Sequence, residues 1–435
     1  MPATFRSLHN RNYRLWAGGG LVSNIGTWMQ RTAQDWLVLT ELTHHNATAV
    51  GVVMALQFGP MALLLPLSGN AADHLDRRKL LLVTQGVMGL LALVLGVLTI
   101  SGAVRLWEVY VLAGLLGCAA AFDSPSRQTF VAEMVGDAEL SNAVALNSTS
   151  FNAGRLLGPA VAGVLIGLLG TGWVFVLNAL SFAAVLGALK AIRVDELHRS
   201  PRQPRKRGSF MEGLRYVRQR PDLSTVLVMV FLIGTFGMNF AIFISTMTVS
   251  AFHGGPSSYG MLTSLMAVGS ITGALLAARR EQPRVRYLFL GSLLFGAGLA
   301  LAAVMPDFLL FGAMLVLVGI SAQTLSTSAL SLMQLAATPA LRGRVMAITL
   351  AITMGGTPIG APIIGWVVDH AGPRWAMGVG ALSGLAAGAV ALRYLIRHRG
   401  LRLHREGWRL RVTMAPKRSF PVTGTEPLAV EPELP

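Results

Sequence analysis

"GNAADHLDRRK", residues 69–79, places two acids and three bases between two long uncharged stretches, Ala49 to Ser68 and Leu80 to Val104. Each flank matches the roughly 20 apolar residues that a helix needs to cross the hydrocarbon core of a bilayer. The charged stretch therefore reads as a solvent-exposed turn between two membrane spans. Working outward in both directions, apolar windows of similar length recur near 14–40, 47–69, 80–103, 106–128, 140–169, 172–191, 222–250, 257–278, 286–305, 308–335, 343–369 and 374–394. They predict twelve spans.

The composition agrees: of 435 residues, 53% are hydrophobic and 13% charged, against about 25% charged in an ordinary soluble domain. The first span follows Arg6, Arg11 and Arg14 directly, without the short apolar core and cleavage site of a secretory signal. A net charge of +16 could suit nucleic acid, so the placement of the bases decides. With twelve spans, the N-terminal arginines, Arg77, Arg78, Lys79, Arg127, the 193–220 segment, Arg279 to Arg286, Arg342, Arg344 and the C-terminal run share one side. Only Arg105 and Arg374 fall on the other. Such asymmetry follows the positive-inside rule and puts both termini in the cytoplasm; no nucleic-acid partner is expected. The single cysteine, Cys118, excludes an intrachain disulfide.

The chain repeats itself. "GRLLGPAVAGVLIGLLGTGW" (154–173) aligns with "GTPIGAPIIGWVVDHAGPRW" (356–375) at an offset of 202, matching Gly154, Gly158, Gly163, Gly170 and Trp173 with Gly356, Gly360, Gly365, Gly372 and Trp375. The same offset puts Gly117 on Gly319. Repeated six-span halves are the hydropathy pattern of a transporter with its substrate path between them. The expected organisation is a half over 1–193, a cytoplasmic linker over 194–221, a second half over 222–394, and a tail over 395–435 that is basic and then disordered. Within the linker, "SFMEGLRYVRQRP" has a capping-box spacing and one apolar face, which predicts a short amphipathic helix. Its basic face, like the start of the tail, suits anionic lipid headgroups.

In this frame the opening stretch resembles the G-x-x-x-D-x-x-x-R-[RK] signature of the major facilitator superfamily, carried by Gly69, Asp73, Arg77, Arg78 and Lys79. The resemblance implies a loop that packs against the other half when the cytoplasmic side closes, with Arg77 near an acid on span four. Asp123 of "AAFDSP" is the acid it suggests. The second copy is degenerate, with Gln282 where Asp73 stands and Arg286 matching Arg77, so the lock is expected on one side only. "GRLLGPAVAG" resembles the superfamily's antiporter motif through Gly154, Gly158, Pro159 and Gly163. Small residues at intervals of four also pack helices closely without any transport meaning. "SNIGTWMQRTAQDWLVL" (23–39), "AFDSPSRQTFVAEMV" (121–135) and "RGRVMA" (342–347) are similar to the enterobactin-exporter-like branch. The implied fold is all-α, with twelve transmembrane helices in two six-helix repeats.

Charges inside spans are costly and usually functional. Asn24, Trp28, Arg31 and Asp35 follow spacings of 4, 3 and 4 and share one face of span one. Arg31 and Asp35 can pair, and moving Arg31 away would load or unload a proton on Asp35; a static pair that holds packing is the alternative. Arg155 in span five could neutralise Asp35, attract an anionic substrate, or bond carbonyls freed by a bend at Pro159. Asn178, Asn239, Gln57, Gln323 and Gln334 are further polar candidates, with interhelical hydrogen bonds the simpler expectation. No phosphate-binding glycine loop, metal-ligand spacing or catalytic constellation is visible, so neither a cofactor nor a metal is expected. The leading expectation is a secondary transporter that exports an amphiphilic small molecule by proton antiport from a bacterial inner membrane, as a monomer. Uptake by the same fold is second, and a membrane-embedded enzyme or receptor a distant third.

Overall fold

The computed structural model describes residues 3–198, 210–278, 285–338, 341–399, 402–406 and 409–413. The chain runs through α1 (Arg11–Trp36), α2 (Ala47–Leu63), α3 (Leu65–His74), α4 (Arg77–Ile100), α5 (Leu106–Val135), α6 (Asp137–Leu169) and α7 (Thr171–Ala191). After the short helix α8 (Phe210–Gln219) come α9 (Pro221–Leu232), α10 (Phe240–Thr246), α11 (Pro256–Ala278), α12 (Val285–Val304), α13 (Phe308–Ala336), α14 (Arg342–Ala371) and α15 (Pro373–Arg399). An antiparallel hairpin, β1 (Arg402–Glu406) and β2 (Arg409–Thr413), follows in the tail. Polar side chains start several helices by accepting a backbone N–H of the first turn: Asn10 for α1, Asn46 for α2, Asp76 for α4 and Asp307 for α13.

Among the described residues, ten helical stretches are long and apolar enough to cross a membrane, and Ala47–Leu63 is a shorter apolar helix. The protein is a multi-pass integral membrane protein of nearly all-helical fold. Length and composition alone do not reach the predicted count of twelve. The shortfall lies in α1, whose 26 residues include Gln30, Arg31, Gln34 and Asp35, and in α2, which stops at Leu63 before α3 begins.

Two predicted spans differ from the structure. Span four does not end near 128; α5 continues through Pro125 to Val135, since neighbouring helices can re-satisfy the backbone groups a proline frees. Span seven is interrupted: π-helical turns over Ile233–Gly237 and non-helical Met238 and Asn239 separate α9 from α10. The Asn239 amide donates to the Thr235 carbonyl at 2.7 Å, satisfying one group at the break.

Packing follows the internal repeat. Helix α1 packs on α6 and α7, α4 on α5 and α7, and α2 on α5; α11 packs on α13, α12 on α13 and α15, and α15 on α9. Two seams join residues before 200 to residues after 220: α2 with α14, and α6 with α11. Glycines paired at offset 202 make equivalent contacts. Gly154 abuts Asn24 of α1, while Gly356 abuts Gly234 and Thr235 of the span-seven stretch. Gly158 faces Trp28, and Gly360 faces Thr235. Gly163 meets Pro256 and Ser257 of α11, and Gly365 meets Ala47 and Thr48 of α2. Even the turns repeat, with Gly170 at φ +89° and Gly372 at φ +95°, a backbone conformation that glycine adopts without Cβ strain.

Helix α8 docks on α14. Glu212 pairs with Arg344 at 2.6 Å, Val217 is buried, and Gly213 lies against Arg344 and Ile348. Ser209, Gln282 and the segment 414–435 lie outside the described residues, as do the side chains of Asp73, Phe210 and Arg286.

Candidate functional site

The polar face of α1 meets α6 and α11. Asn24 Nδ2 donates to Ser150 Oγ of α6 at 2.9 Å. One turn on, Trp28 packs edge-on against Phe151 with ring centroids 5.7 Å apart. The indole fits because position 158 is glycine: a Cβ there would lie 2.5 Å from Trp28 Cβ. The Arg31 guanidinium covers Trp28 at 5.0 Å and Phe58 of α2 at 5.2 Å, and Arg155 approaches the same indole at 5.9 Å. Asp35, 8% exposed, accepts a hydrogen bond from the Tyr259 hydroxyl of α11 at 3.2 Å. Tyr259 also stacks on Trp36 at 6.1 Å.

The helical spacing brings these four residues of α1 to one surface, but it does not pair the charges. Arg31 and Asp35 form no ion pair. Tyr259 takes the carboxylate, while Arg31 turns to aromatic faces, an attraction of about 0.5–2 kcal/mol. Nor, among the described residues, does Arg155 pair with Asp35 or bond a backbone carbonyl; its guanidinium approaches the Trp28 ring. Among the other polar candidates, Asn178 bonds Gln30 and Ser181, and Gln323 bonds Thr327.

The charged stretch 69–79 is tied to helices before residue 200. Gly69 is half-buried in α3. Arg77 pairs with Glu133 of α5 and also donates to the Ala72 carbonyl at 3.1 Å. Arg78 donates to the carbonyls of Leu189 and Lys190 at 2.8 and 3.2 Å, placing its positive charge at the C-terminal end of α7. Lys79 is exposed.

Asp123 is not the partner of Arg77. It accepts from Thr84 Oγ1 at 2.9 Å and Gln85 Nε2 at 2.7 Å, and pairs with Arg127 at 3.2 Å. The reason is helix length. Because α5 runs to Val135, Asp123 lies twelve residues before its end, roughly 18 Å deep at 1.5 Å per residue. Glu133 occupies the rim.

At the opposite end, Asp369 of α14 holds the start of α2. One carboxylate oxygen accepts from the Ala47 backbone N–H at 2.7 Å; the other accepts from Thr48 N at 2.9 Å and Thr48 Oγ1 at 2.5 Å. A carboxylate at a helix N-terminus satisfies free N–H groups and meets the positive end of the helix dipole. The second seam is made differently, by Ser257 Oγ donating to the Gly163 carbonyl at 3.1 Å and Ser264 Oγ to the Leu156 carbonyl at 2.8 Å. Sequence reasoning missed Tyr259, Glu133 and Asp369. Only Asp369 left a signal, because offset 202 sets it against Gly167, a charged residue against none.

Paired glycine contacts, two seams between repeated helix groups and polar side chains along the inner face of α1 define a membrane transporter of the major facilitator fold. The chain belongs to the family described as "Transmembrane secretion effector", whose profile matches residues 3–404; its members are transporters, not enzymes. The Staphyloferrin A transporter of Staphylococcus aureus (strain NCTC 8325 / PS 47) is 26% identical over 350 residues, covering 79% of this chain and 86% of that protein. The multidrug efflux pump Tap of Mycolicibacterium fortuitum is 28% identical over 370 residues, covering 81% and 88%. The enterobactin exporter EntS of Shigella flexneri is 24% identical over 336 residues, covering 75% and 78%. The likeness to the exporter branch read from the sequence agrees with these relatives. Among solved structures, a bacterial homologue of the human lysosomal transporter Spinster, in an inward-facing and occupied conformation, superposes with a TM-score of 0.69 at 14% identity, covering 88% of this chain and 96% of that one. That likeness concerns the fold.

Proposed function

We propose that the protein exports an amphiphilic small molecule across a bacterial inner membrane, by alternating access and in exchange for protons. In this reading α1 and the α2–α3 pair complete twelve spans. Two six-helix halves, 1–193 and 222–394, rock about the site, with the linker 194–221 and the tail 395–435 in the cytoplasm. The observation that carries it is the cluster of Trp28, Arg31, Asp35 and Arg155, with Asn24 one turn away, where α1, α6 and α11 converge. A polar and aromatic face at the junction of two repeats suits a translocated ligand better than a static core. The relatives named as exporters and efflux pumps support the direction.

Asp35 is the proposed proton carrier. Gly69, Asp73, Arg77, Arg78 and Lys79 form the cytoplasmic lock, which here rests on helices of its own half, and Asp123 braces that half. Gly154, Gly158, Pro159 and Gly163 form the antiporter-like seam. The basic linker and tail meet anionic lipids, and the protein acts as a monomer. The state described is then the one closed at the outer face, where Asp369 and the glycine seams lie.

Cells expressing the protein, loaded with ethidium or with the anionic dye 8-anilinonaphthalene-1-sulfonate, should accumulate less of at least one dye than control cells. A protonophore should remove the difference. Higher accumulation in expressing cells would instead mean uptake.

Topology gives a separate prediction. After replacement of Cys118, an impermeant thiol reagent should label cysteines introduced at His44 and His253 from outside intact cells, but not one at Asp195. Strong external labelling at Asp195 would overturn the orientation. For the lock, Arg77→Ala and Glu133→Gln should reduce export to a similar degree while the protein remains folded and inserted. The double variant should be no worse than either single, because coupled residues are not additive; full export by Arg77→Ala at matched expression would reduce the loop to a topology signal.

A further inference from the structure

The two arginines of the central cluster are half-buried and lack the partners that the other half-buried arginines of the helices have. Neither Arg31 nor Arg155 has an ion-pair partner or a hydrogen-bond acceptor among the described residues; their close neighbours are the rings of Trp28 and Phe58. The walls α1, α2, α6 and α11 contain few acids. Asp35 bonds Tyr259, and Asp137 and Glu139 lie in the first turn of α6. Glu139 is sixteen residues from Arg155, about 24 Å along the helix. Elsewhere the protein does satisfy its internal arginines: Arg77 has Glu133, Arg127 has Asp123, and Arg78 has two carbonyls. Among the described residues the exception lies at the junction of α1, α2 and α6.

Two forked cations gathered within 6 Å of one indole leave their N–H donors for an acceptor from outside the chain. A guanidinium matches a carboxylate with two parallel hydrogen bonds, and such bonds are stronger where water is scarce. Around them, Trp28, Phe58 and Phe151 offer apolar faces and edges at ring-contact distances. We infer that this cluster is an anion subsite: the transported amphiphile carries a carboxylate that engages Arg155 and Arg31, and a planar apolar body that lies along Trp28, Phe58 and Phe151. Arg155 is the principal anchor because no acid stands near it, whereas Arg31 lies one helical turn from Asp35. The inference rests on the export reading for the word "transported", but the subsite itself is a statement about binding.

The test uses the full-length protein in lipid nanodiscs and three probes of nearly equal shape: 2-naphthoate, 2-naphthamide and 2-naphthylmethylamine. Titration calorimetry should show the carboxylate binding about tenfold or more tighter than the neutral amide, the scale expected for a charge-assisted pair. The amine should bind weakest. Arg155→Gln should abolish the preference for the carboxylate, Arg31→Gln should reduce it, and Arg155→Lys should retain part of it by keeping the charge without the fork. Arg105→Gln, on an outer loop, should leave it unchanged. Thermal unfolding of each variant separates lost binding from lost folding, and Arg155→Lys keeps the test decisive if the glutamine variant does not fold. Equal affinity for carboxylate and amide, or a preference for the amine, overturns the subsite. Selective naphthoate binding without any dye export in cells would overturn the export reading alone. Ethidium export without charge preference in nanodiscs would overturn the subsite alone.

Discussion

Asp35→Asn is expected to retain substrate exchange between the two faces and to lose export driven by a pH gradient. Asparagine keeps an oxygen that can accept from Tyr259, so the contact from α1 to α11 at 3.2 Å survives the substitution. What disappears is the ability to change charge. Asp35 lies within predicted span one, one residue before the end of α1; a charged side chain inside a span is costly, and that cost is readily explained if the acid gains and loses a proton during the cycle. Proteoliposomes with an imposed pH gradient separate the possibilities. Loss of gradient-driven export with exchange intact supports a proton carrier, whereas loss of binding or folding indicates a structural bond. Normal gradient-driven export by the variant would remove Asp35 from the role and leave Asp123 as the next acid to test. Tyr259→Phe serves as the companion: it removes the donor without touching the carboxylate, and gradient-driven export should persist.

Gly158→Val and Gly163→Val, two substitutions in one motif, are expected to fail in different ways. Gly158 packs against Trp28 in the same half, where a Cβ would come within 2.5 Å of Trp28 Cβ and 3.0 Å of the Ile25 carbonyl. Overpacking a tight helix contact costs typically about 1–3 kcal/mol, and the valine should lower the unfolding temperature in every conformation. Gly163 packs on the other half, where a Cβ would stand 2.7 Å from the Pro256 carbonyl and 3.0 Å from Ser257 Cα. That clash exists only while the α6–α11 seam is shut. The valine should leave unfolding nearly unchanged and hold the outer end apart, so spin labels at Ser101 and Leu309 should give longer distances than in the unsubstituted protein. Identical losses of stability for both substitutions would mean that the motif serves packing alone.

The sequence carried much of this architecture because lipid imposes a period that water does not. Uncharged runs, the basic loops between them and glycines at offset 202 are local or periodic signals, and each can be read without knowing what lies opposite. The α1 face was legible for the same reason, since 4-3-4 spacing fixes a surface. Its bonds were not legible. Asp35 and Tyr259 are 224 residues apart, and no spacing on α1 reveals that a hydroxyl from α11 will displace Arg31 as the nearest partner. Glu133 was missed through a boundary error: the apolar window ends near 128 while the helix continues to Val135, and ten residues of helix separate Asp123, which the motif suggested, from the acid that reaches Arg77. The break in span seven falls on Gly234, Gly237 and Asn239, but isolated glycines and single polar residues recur in unbroken spans of this chain, so their presence did not single out this site.

The repeat also shows where symmetry stops. Position 369 holds an aspartate bound to two backbone N–H groups and a hydroxyl of α2, and position 167, its counterpart, is a glycine. Hydrogen bonds to a charged group contribute about 1.5–3 kcal/mol each and neutral ones about 0.5–1.5 kcal/mol, so the α2–α14 edge, held by a carboxylate, is the stronger, and the α6–α11 edge is held only by the neutral hydroxyl-to-carbonyl bonds of Ser257 and Ser264. Separation of the halves would then begin along α6 and α11, with α2 and α14 parting last, and a ligand leaving the cluster on α1 would emerge sideways past Tyr259 rather than straight up the middle.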